Sequence, residues 1–155
     1  MTTPAKPAAP VNMIRAVWQG SRRFDTGRVG QPAARIDGEA ETGQSPTDAL
    51  LSALAACSAI DVVDILAKRH TPVTALEVEV VGQRRIEHPR RFTAIDLTFH
   101  VTGEGIDRVH AERAVQLSLE RYCSVASSLA PDVVVQTVVA LNGDRGESVQ
   151  QKVGA

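Results

Sequence analysis

The stretch Ser45–His70, SPTDALLSALAACSAIDVVDILAKRH, decides the fold of this chain. Its first residues predict the start of a helix. Ser45 is a typical N-cap, Pro46 suits the first helical position, and Asp48 stands where a capping-box acid stands. Pro72 follows the stretch and discourages any continuation of the helix. We therefore expect one long helix that begins at Ser45 and ends near His70.

The first half of this helix is apolar on every side. Between residues 49 and 60 the only polar side chains are those of Ser52 and Ser58. After residue 60 a polar stripe follows at helical spacing: Asp61, Asp64 and Lys68. A helix that is apolar all round is buried rather than lying on a surface. A single domain has few ways to surround such a helix, which favours cover from a second subunit.

Length and composition indicate one domain with an ordinary core. The chain has 155 residues, of which 43% are hydrophobic, and a formal net charge of −1. This charge gives no reason to expect nucleic acid or an anionic membrane as a partner. We find no apolar run of the roughly 18 residues that would span a bilayer. We expect a cytoplasmic protein with a flexible tail over 1–10, one domain over 11–141 and a polar tail over 142–155.

Strand patterns lie on both sides of the helix. Five segments are expected to be strands: 11–18, 33–36, 73–83, 92–102 and 133–141. Apolar and polar residues alternate with period two in 73–83 and 92–102, which predicts a hairpin of half-buried strands. A second helix is expected to start at Asp107 and to bury one stripe of residues: Ala111, Val115, Leu119 and Tyr122. This order of strands and helices predicts an α+β fold.

The two cysteines, Cys57 and Cys123, are the residues best suited to chemistry. The residue pattern leaves two interpretations open. Both thiols can be inert parts of the core, or they can form a redox couple in which one thiolate attacks a peroxide and the other thiol resolves the product. Cys57 lies about three turns into its helix, too far for the helix dipole to stabilise a thiolate. A loop arginine, Arg22, Arg23 or Arg28, is the candidate for that task.

Other chemistries have little support in the sequence. The four histidines show no paired spacing typical of metal ligands. Neither cysteine has the sequence context of a thiol protease, and the glycines match neither a phosphate-binding loop nor a dinucleotide fingerprint. We therefore expect no metal and no cofactor.

Four segments in this order resemble the OsmC/Ohr family of hydroperoxide-reducing proteins. The segments are SPTDALLSALAACSA, TPVTALEVEVVGQR, FTAIDLTFHVTG and AVQLSLERYCSVASSL. The likeness runs from about Trp18 to Leu141 and includes both cysteines. The resemblance implies an α+β fold in which antiparallel sheets wrap around two central helices of an intertwined homodimer.

The resemblance also implies an activity and a set of residues. The activity is reduction of organic, lipid-like hydroperoxides, with a dithiol such as a lipoyl group as reductant. In this scheme Cys57 attacks the peroxide and Cys123 resolves the product to a disulfide. Better-known branches carry a glutamate directly after the helix-opening proline, where this chain has Thr47, and its acid follows as Asp48. The chain is therefore similar to the less characterised third branch, and its activating arginine is one of three: Arg22, Arg23 and Arg28.

Two functions stay open at this stage. One is a thiol-dependent peroxidase. The other is a non-catalytic relative that keeps the fold and binds an apolar ligand or a thiol metabolite at the dimer interface. Peroxide consumption with a dithiol as reductant discriminates between these hypotheses. The structural observation that matters most is the separation of the Cys57 and Cys123 sulfurs, together with the identity of the nearest arginine, because a disulfide has strict distance requirements.

Overall fold

The computed structural model describes residues 6–154, and these residues form a mixed α+β fold. Contacts divide the chain into two compact units, with the boundary after Ala49. Each unit has a sheet of its own. The flexible tail expected over 1–10 lies partly outside the described residues, which begin at Lys6.

The first unit is a three-stranded antiparallel sheet. Its strands are β1 (Arg15–Trp18), β2 (Arg23–Gly27) and β3 (Ala34–Asp37), paired in that order. Sequence patterning identified β1 and β3, although β1 is shorter than expected. It missed β2, because the segment RFDTG contains only one large apolar side chain. All the described hydrophobic residues that are buried belong to the second unit, so this sheet has no buried apolar core of its own.

The buried carboxylate of Asp37 organises the loop that follows this sheet. It accepts hydrogen bonds from the backbone N–H groups of Glu39 and Thr42, both at 3.0 Å, and from the Thr42 hydroxyl at 2.7 Å. The guanidinium of Arg23 lies 3.3 Å away. These donors, with the Glu39 N–H first, hold the pKa of Asp37 far below its usual range. Asp37 therefore stays charged and fixes the loop that leads to the long helix.

Helix α1 spans Pro46–Lys68 and begins as the sequence predicts. The Ser45 hydroxyl oxygen accepts the Asp48 N–H at 3.2 Å, and the Asp48 carboxylate accepts the Ser45 N–H at 3.4 Å. This reciprocal pair is a capping box. At the other end His70 has a φ of 62°, and the backbone hydrogen bonds around it form a Schellman motif. The predicted start and end of the helix are confirmed.

Only one face of α1 is buried within a single chain. Four residues on this face are completely covered: Leu54, Ser58, Val62 and Leu66. Their apolar members pack in one cluster with alternate residues of the second unit's central strand, among them Leu97 and Phe99. The opposite side exposes an apolar stripe, the open face of α1: Ala53, Ala56, Ile60, Val63 and Ala67. The expectation of a helix buried all round is thus met on one side only.

Helix α1 is also long and apolar enough to cross a membrane. Its mean hydropathy reaches 2.0 in an 18-residue window. This finding corrects the expectation that no apolar run is long enough, because Asp61 and Asp64 do not outweigh the apolar residues around them. The core helix of a soluble protein has the same length and composition, so this property alone is weak evidence for a membrane span.

The second unit is built on the predicted hairpin. Strands β4 (Ala75–Arg84) and β5 (Phe92–Thr102) pair antiparallel along their full length. Strand β6 (Val134–Leu141) then pairs with β5 in the parallel direction. A sheet that is antiparallel throughout was expected, and this pair corrects it. The chain between β5 and β6 is a helical crossover, and such a connection returns the next strand in the same direction.

The C-terminal residues were expected to form a polar tail, but they return to the sheet. Strands β7 (Asp144–Arg145) and β8 (Val149–Gln151) both pair antiparallel with β6. Asn142 and Gly143 both have positive φ and form the tight turn that starts this return. An Asn-Gly pair is a strong hairpin signal, and it is present in the sequence.

The crossover contains α2 (Arg108–Leu117), one π-helical turn (Ser118–Tyr122) and α3 (Ser124–Ser127). Asp107 precedes α2 as predicted, although its side chain makes no capping hydrogen bond. The expected buried stripe is correct at Ala111, Val115 and Leu119 but wrong at Tyr122, which is 57% exposed. The π turn contains one residue more than an α-helical turn, which shifts the register of the helix by one residue. The buried position expected for Tyr122 is therefore occupied by Cys123.

The buried face of α1 can be tested through unfolding. Leu54→Ala removes a completely buried side chain and should lower the free energy of unfolding by about 2–5 kcal/mol. Val109→Ala in α2 is the control, because Val109 is 73% exposed and its loss should cost less than about 0.5 kcal/mol. Denaturant titrations measure both values. Equal losses for the two variants would contradict the core described above.

Candidate active site

The two cysteines lie close together in the second unit. Cys57 is on α1 and half-buried, whereas Cys123 follows the π turn and is only 2% exposed. Both are free thiols, and Cys57 packs against the hydrophobic core cluster that contains Cys123. The Cys57 thiol lies near enough to contribute to the raised pKa of Cys123, so the fold brings the two sulfhydryl groups of the chain close together.

Cys123 has a second role as the N-cap of the short helix α3. Its sulfur accepts the backbone N–H of Ala126 at 3.3 Å. Caps of this kind satisfy N–H groups that have no partner inside the helix. The sulfur position is therefore fixed both by its own backbone and by the helix that it caps.

The surroundings of Cys123 keep it protonated. Burial raises the pKa of the Cys123 thiol to about 12, and the adjacent Cys57 thiol contributes to the rise. The N–H groups of Ala126 and Val125 act in the opposite direction but are outweighed. The thiolate is the nucleophilic form of cysteine, so Cys123 is poorly suited to make the first attack at neutral pH.

A buried hydroxyl ties the two cysteine-bearing segments together. Ser118 is completely buried and donates to a carboxylate oxygen of Asp61 at 2.7 Å. The same hydroxyl lies 3.4 Å from the carbonyl oxygen of Ser58, the residue directly after Cys57. Sequence reasoning did not place Ser118 or Asp61 at the site. The available signal was Asp61 itself, the first acid after the apolar half of the helix.

The π turn sets where Cys123 lies. The Cys123 N–H donates to the carbonyl of Ser118, five residues earlier, at 2.8 Å, whereas an α-helix would use the residue four earlier. That bypassed residue is Leu119, and its carbonyl accepts the N–H of Gly154 at 3.2 Å. The C-terminal segment thus supplies a hydrogen-bond donor to the Leu119 carbonyl, which has no partner within the π turn.

The predicted arginines and Asp48 belong to the first unit, where each has partners of its own. Arg22 pairs with Glu39, Arg23 with Asp37 and Glu41, and Arg28 with the amide oxygen of Asn12. Asp48 is occupied by the capping box, and the Thr47 hydroxyl lies 3.2 Å from that of Ser45. Which arginine serves Cys57 stays a prediction.

The described part of the chain offers a cleft beside Asp61 but no metal cluster. The cleft has a volume of about 570 Å³ and is bounded by residues of α1 and α2. Its lining includes Asp61, Ile65, Arg69, Leu117 and Tyr122. Within residues 6–154, no three His, Cys, Asp or Glu side chains are grouped so that they could hold a metal ion. Asp61 is therefore reachable from the cleft, whereas its partner Ser118 is sealed from solvent.

A thiol pair shared between a long central helix and a helical crossover is the arrangement that the family resemblance implies. The sequence profile of the family described as OsmC-like protein matches residues 38–138, so this chain belongs to that family. The chain is similar to Protein YhfA of Escherichia coli (strain K12), with 46% identity over 95 residues. That match covers 61% of this chain and 71% of YhfA.

Solved structures confirm the predicted α+β, OsmC-like fold of the single chain. The OsmC-like protein of Mycoplasma pneumoniae aligns with a TM-score of 0.75 at 18% identity, covering 86% of this chain and 99% of that one. The organic hydroperoxide resistance protein OhrB of Bacillus subtilis aligns with a TM-score of 0.56 at 19% identity, covering 82% and 96%. Sequences this different share the fold, and the likeness extends no further than that.

The protonation of Cys123 can be tested by alkylation. In the folded Cys57→Ser protein, Cys123 should resist iodoacetamide up to strongly alkaline pH, because burial keeps it in the thiol form. In the unfolded protein it should react like a free thiol with a pKa of about 8.5. Mass spectrometry after timed alkylation gives both pH profiles. The same profile in both states would show that burial does not protect this sulfur.

Proposed function

We propose that this protein reduces organic hydroperoxides with two cysteines, Cys57 attacking the peroxide and Cys123 resolving the product. The observation that carries the proposal is the position of two free thiols at one core cluster in unequal surroundings, Cys57 half-buried and Cys123 enclosed. Membership of the OsmC-like family supports a peroxide-related redox role, and the structural neighbour OhrB is named for organic hydroperoxide resistance. The raised pKa of Cys123 favours Cys57 as the attacking residue.

The proposed cycle has three steps. The Cys57 thiolate attacks the peroxide, so that a sulfur–oxygen bond forms, the oxygen–oxygen bond breaks and an alcohol leaves with a proton from solvent. The Cys123 sulfur then attacks the resulting sulfenic acid, and the hydroxyl group leaves as water with the proton of the Cys123 thiol. An external dithiol finally reduces the Cys57–Cys123 disulfide and becomes a disulfide itself. A lipoyl-type dithiol fits this last step.

The first step needs a positive charge to favour the Cys57 thiolate. We assign this role to one of the early arginines, Arg22, Arg23 or Arg28. Arg22 and Arg23 pair with carboxylates, whereas Arg28 bonds to an uncharged amide. Single alanine substitutions separate the three, because only the arginine that serves Cys57 should shift the pH dependence of its alkylation.

We propose in addition that the protein is a homodimer. The open face of α1 exposes large apolar side chains, with Ile60 at 61% and Val63 at 38%. The first unit likewise leaves Trp18 and Phe24 exposed and contains no buried hydrophobic residue among those described. Exposed apolar surface of this extent is typical of an interface. A second copy of the chain is the partner that the family resemblance implies.

The cysteine roles can be tested by substitution. Cys57→Ser should abolish consumption of cumene hydroperoxide in the presence of a dithiol. Cys123→Ser should consume about one equivalent and then stop at a sulfenic acid that a dimedone-type reagent traps. Ser124→Ala is the control, because it changes an exposed neighbour of Cys123 and should turn over normally.

Two outcomes would overturn the proposed peroxidase. The first is normal turnover by Cys57→Ser. The second is a wild-type protein that consumes no hydroperoxide with any of several dithiols, a result that favours the ligand-binding alternative.

The dimer can be tested by sedimentation. The wild-type protein should sediment at roughly twice the chain mass of 16.5 kDa. Ile60→Asp places a charge on the open face of α1 and should shift the protein towards monomer. Ile86→Asp, on the exposed hairpin loop, should leave the mass unchanged. A folded wild-type monomer at micromolar concentration would contradict the proposal.

A further inference from the structure

We propose that Asp61 and Ser118 are positioning residues that hold Cys123 in place for its attack on oxidised Cys57. This inference rests on the proposed function and deepens its second step. Neither residue reacts itself. Their hydrogen bond fixes one cysteine-bearing segment against the other.

Ser118 is in contact with both segments through different atoms. Its side chain faces α1, where it donates to Asp61, one helical turn after Cys57. Its backbone carbonyl accepts the N–H of Cys123 at 2.8 Å and so closes the π turn. A rotation or shift of Ser118 is therefore passed directly to the backbone of Cys123.

The bond to Asp61 is the stronger of the two that hold the Ser118 hydroxyl. At 2.7 Å to a carboxylate it is short and charge-assisted, and such bonds are roughly twice as strong as neutral ones. The carbonyl of Ser58 lies 3.4 Å from the same hydroxyl, at the long limit for a hydrogen bond. Because Ser118 is completely buried, no solvent molecule replaces a lost partner without rearrangement. Removing Asp61 therefore frees the start of the π turn.

The resolving step is sensitive to this freedom. The sulfur of Cys123 attacks the Cys57 sulfur, one sulfur–sulfur bond forms, and hydroxide leaves with the Cys123 proton as water. Disulfide formation has strict requirements on distance and dihedral angle. A misplacement of about 1 Å can slow a positioned reaction by about a hundredfold. Of the two cysteines only Cys57 reacts in the first attack on the peroxide, so that step does not require Cys123 to be aligned with it.

The test uses dithiobis(nitrobenzoate), an aromatic disulfide that reports the two cysteines separately without any peroxide. Cys57 displaces one thionitrobenzoate and keeps the other as a mixed disulfide. Cys123 then attacks the Cys57 sulfur, which forms the internal disulfide and releases the second thionitrobenzoate and a proton. The two releases appear as two phases in absorbance. The second phase measures the positioning of Cys123 directly.

Asp61→Ala and Ser118→Ala should slow the second phase by about tenfold or more and leave the first within about twofold. In the peroxide reaction the same variants should accumulate trappable sulfenic acid. Asp61→Asn keeps an acceptor oxygen and should restore the second phase to within about threefold of wild type. Asp64→Ala is the matched control, because Asp64 lines the same cleft from the same helix but has no bond to the π turn.

Two results would overturn the positioning role. One is an unchanged second phase in Asp61→Ala, and the other is an equal loss in both phases, which would indicate general damage. If Ser118→Ala fails to fold, Asp61→Ala decides, because Asp61 is only partly buried. If the wild type reduces no hydroperoxide but the second phase depends on Asp61 as expected, the positioning role stands and the proposed peroxidase fails.

Discussion

The structure depends on one interaction, the packing of a single face of α1 into the hydrophobic core of the second unit. Leu54, Val62 and Leu66 are completely covered there, and the rest of the second unit is arranged around this seam. Burial of large aliphatic side chains contributes about 1.5–3 kcal/mol each to stability. The free energy gained on this face therefore exceeds the cost of leaving the other apolar face of α1 exposed. The same face carries Ser58, next to Cys57. The force that folds the unit is therefore also the one that places the first sulfur.

The parts of the fold that could be predicted from the sequence are those in which a local pattern and the tertiary structure agree. The capping box at Ser45 fixes the start of α1, and period-two alternation marks β4 and β5. β2 could not be predicted in this way, because its pairing with β1 and β3 comes from neighbours rather than from its own residues. The parallel pairing of β6 with β5 likewise could not be predicted locally, because it depends on the position and direction in which the crossover places the start of β6.

In the site, too, some features could be predicted from the sequence and others depend on the tertiary structure. Both cysteines were identified from their rarity and their place in the resemblance, and the fold brings them to the same core cluster. Ser118 could not be identified, because a lone serine between two leucines looks like any small residue of a buried helix. Its importance arises from the π turn, which is an irregular helical turn that residue spacing in the sequence does not predict. Arg22, Arg23 and Arg28 stay candidates for the same reason, since the sequence does not specify where the tertiary structure places a long, flexible guanidinium side chain.

The cap that Cys123 provides to α3 links the chemistry of this sulfur to the order of the chain around it. Sulfur is a weak hydrogen-bond acceptor even as a thiol, and a sulfur turned towards a new partner in a disulfide leaves the Ala126 N–H without its acceptor. A four-residue helix has little stability of its own once its cap is lost. In the disulfide proposed above, the exposed serines of this helix, Ser124 and Ser127, would lie on a mobile surface, whereas in the reduced protein they lie on a capped helix. Oxidation of an enclosed sulfur would in this way change the outer surface of the molecule.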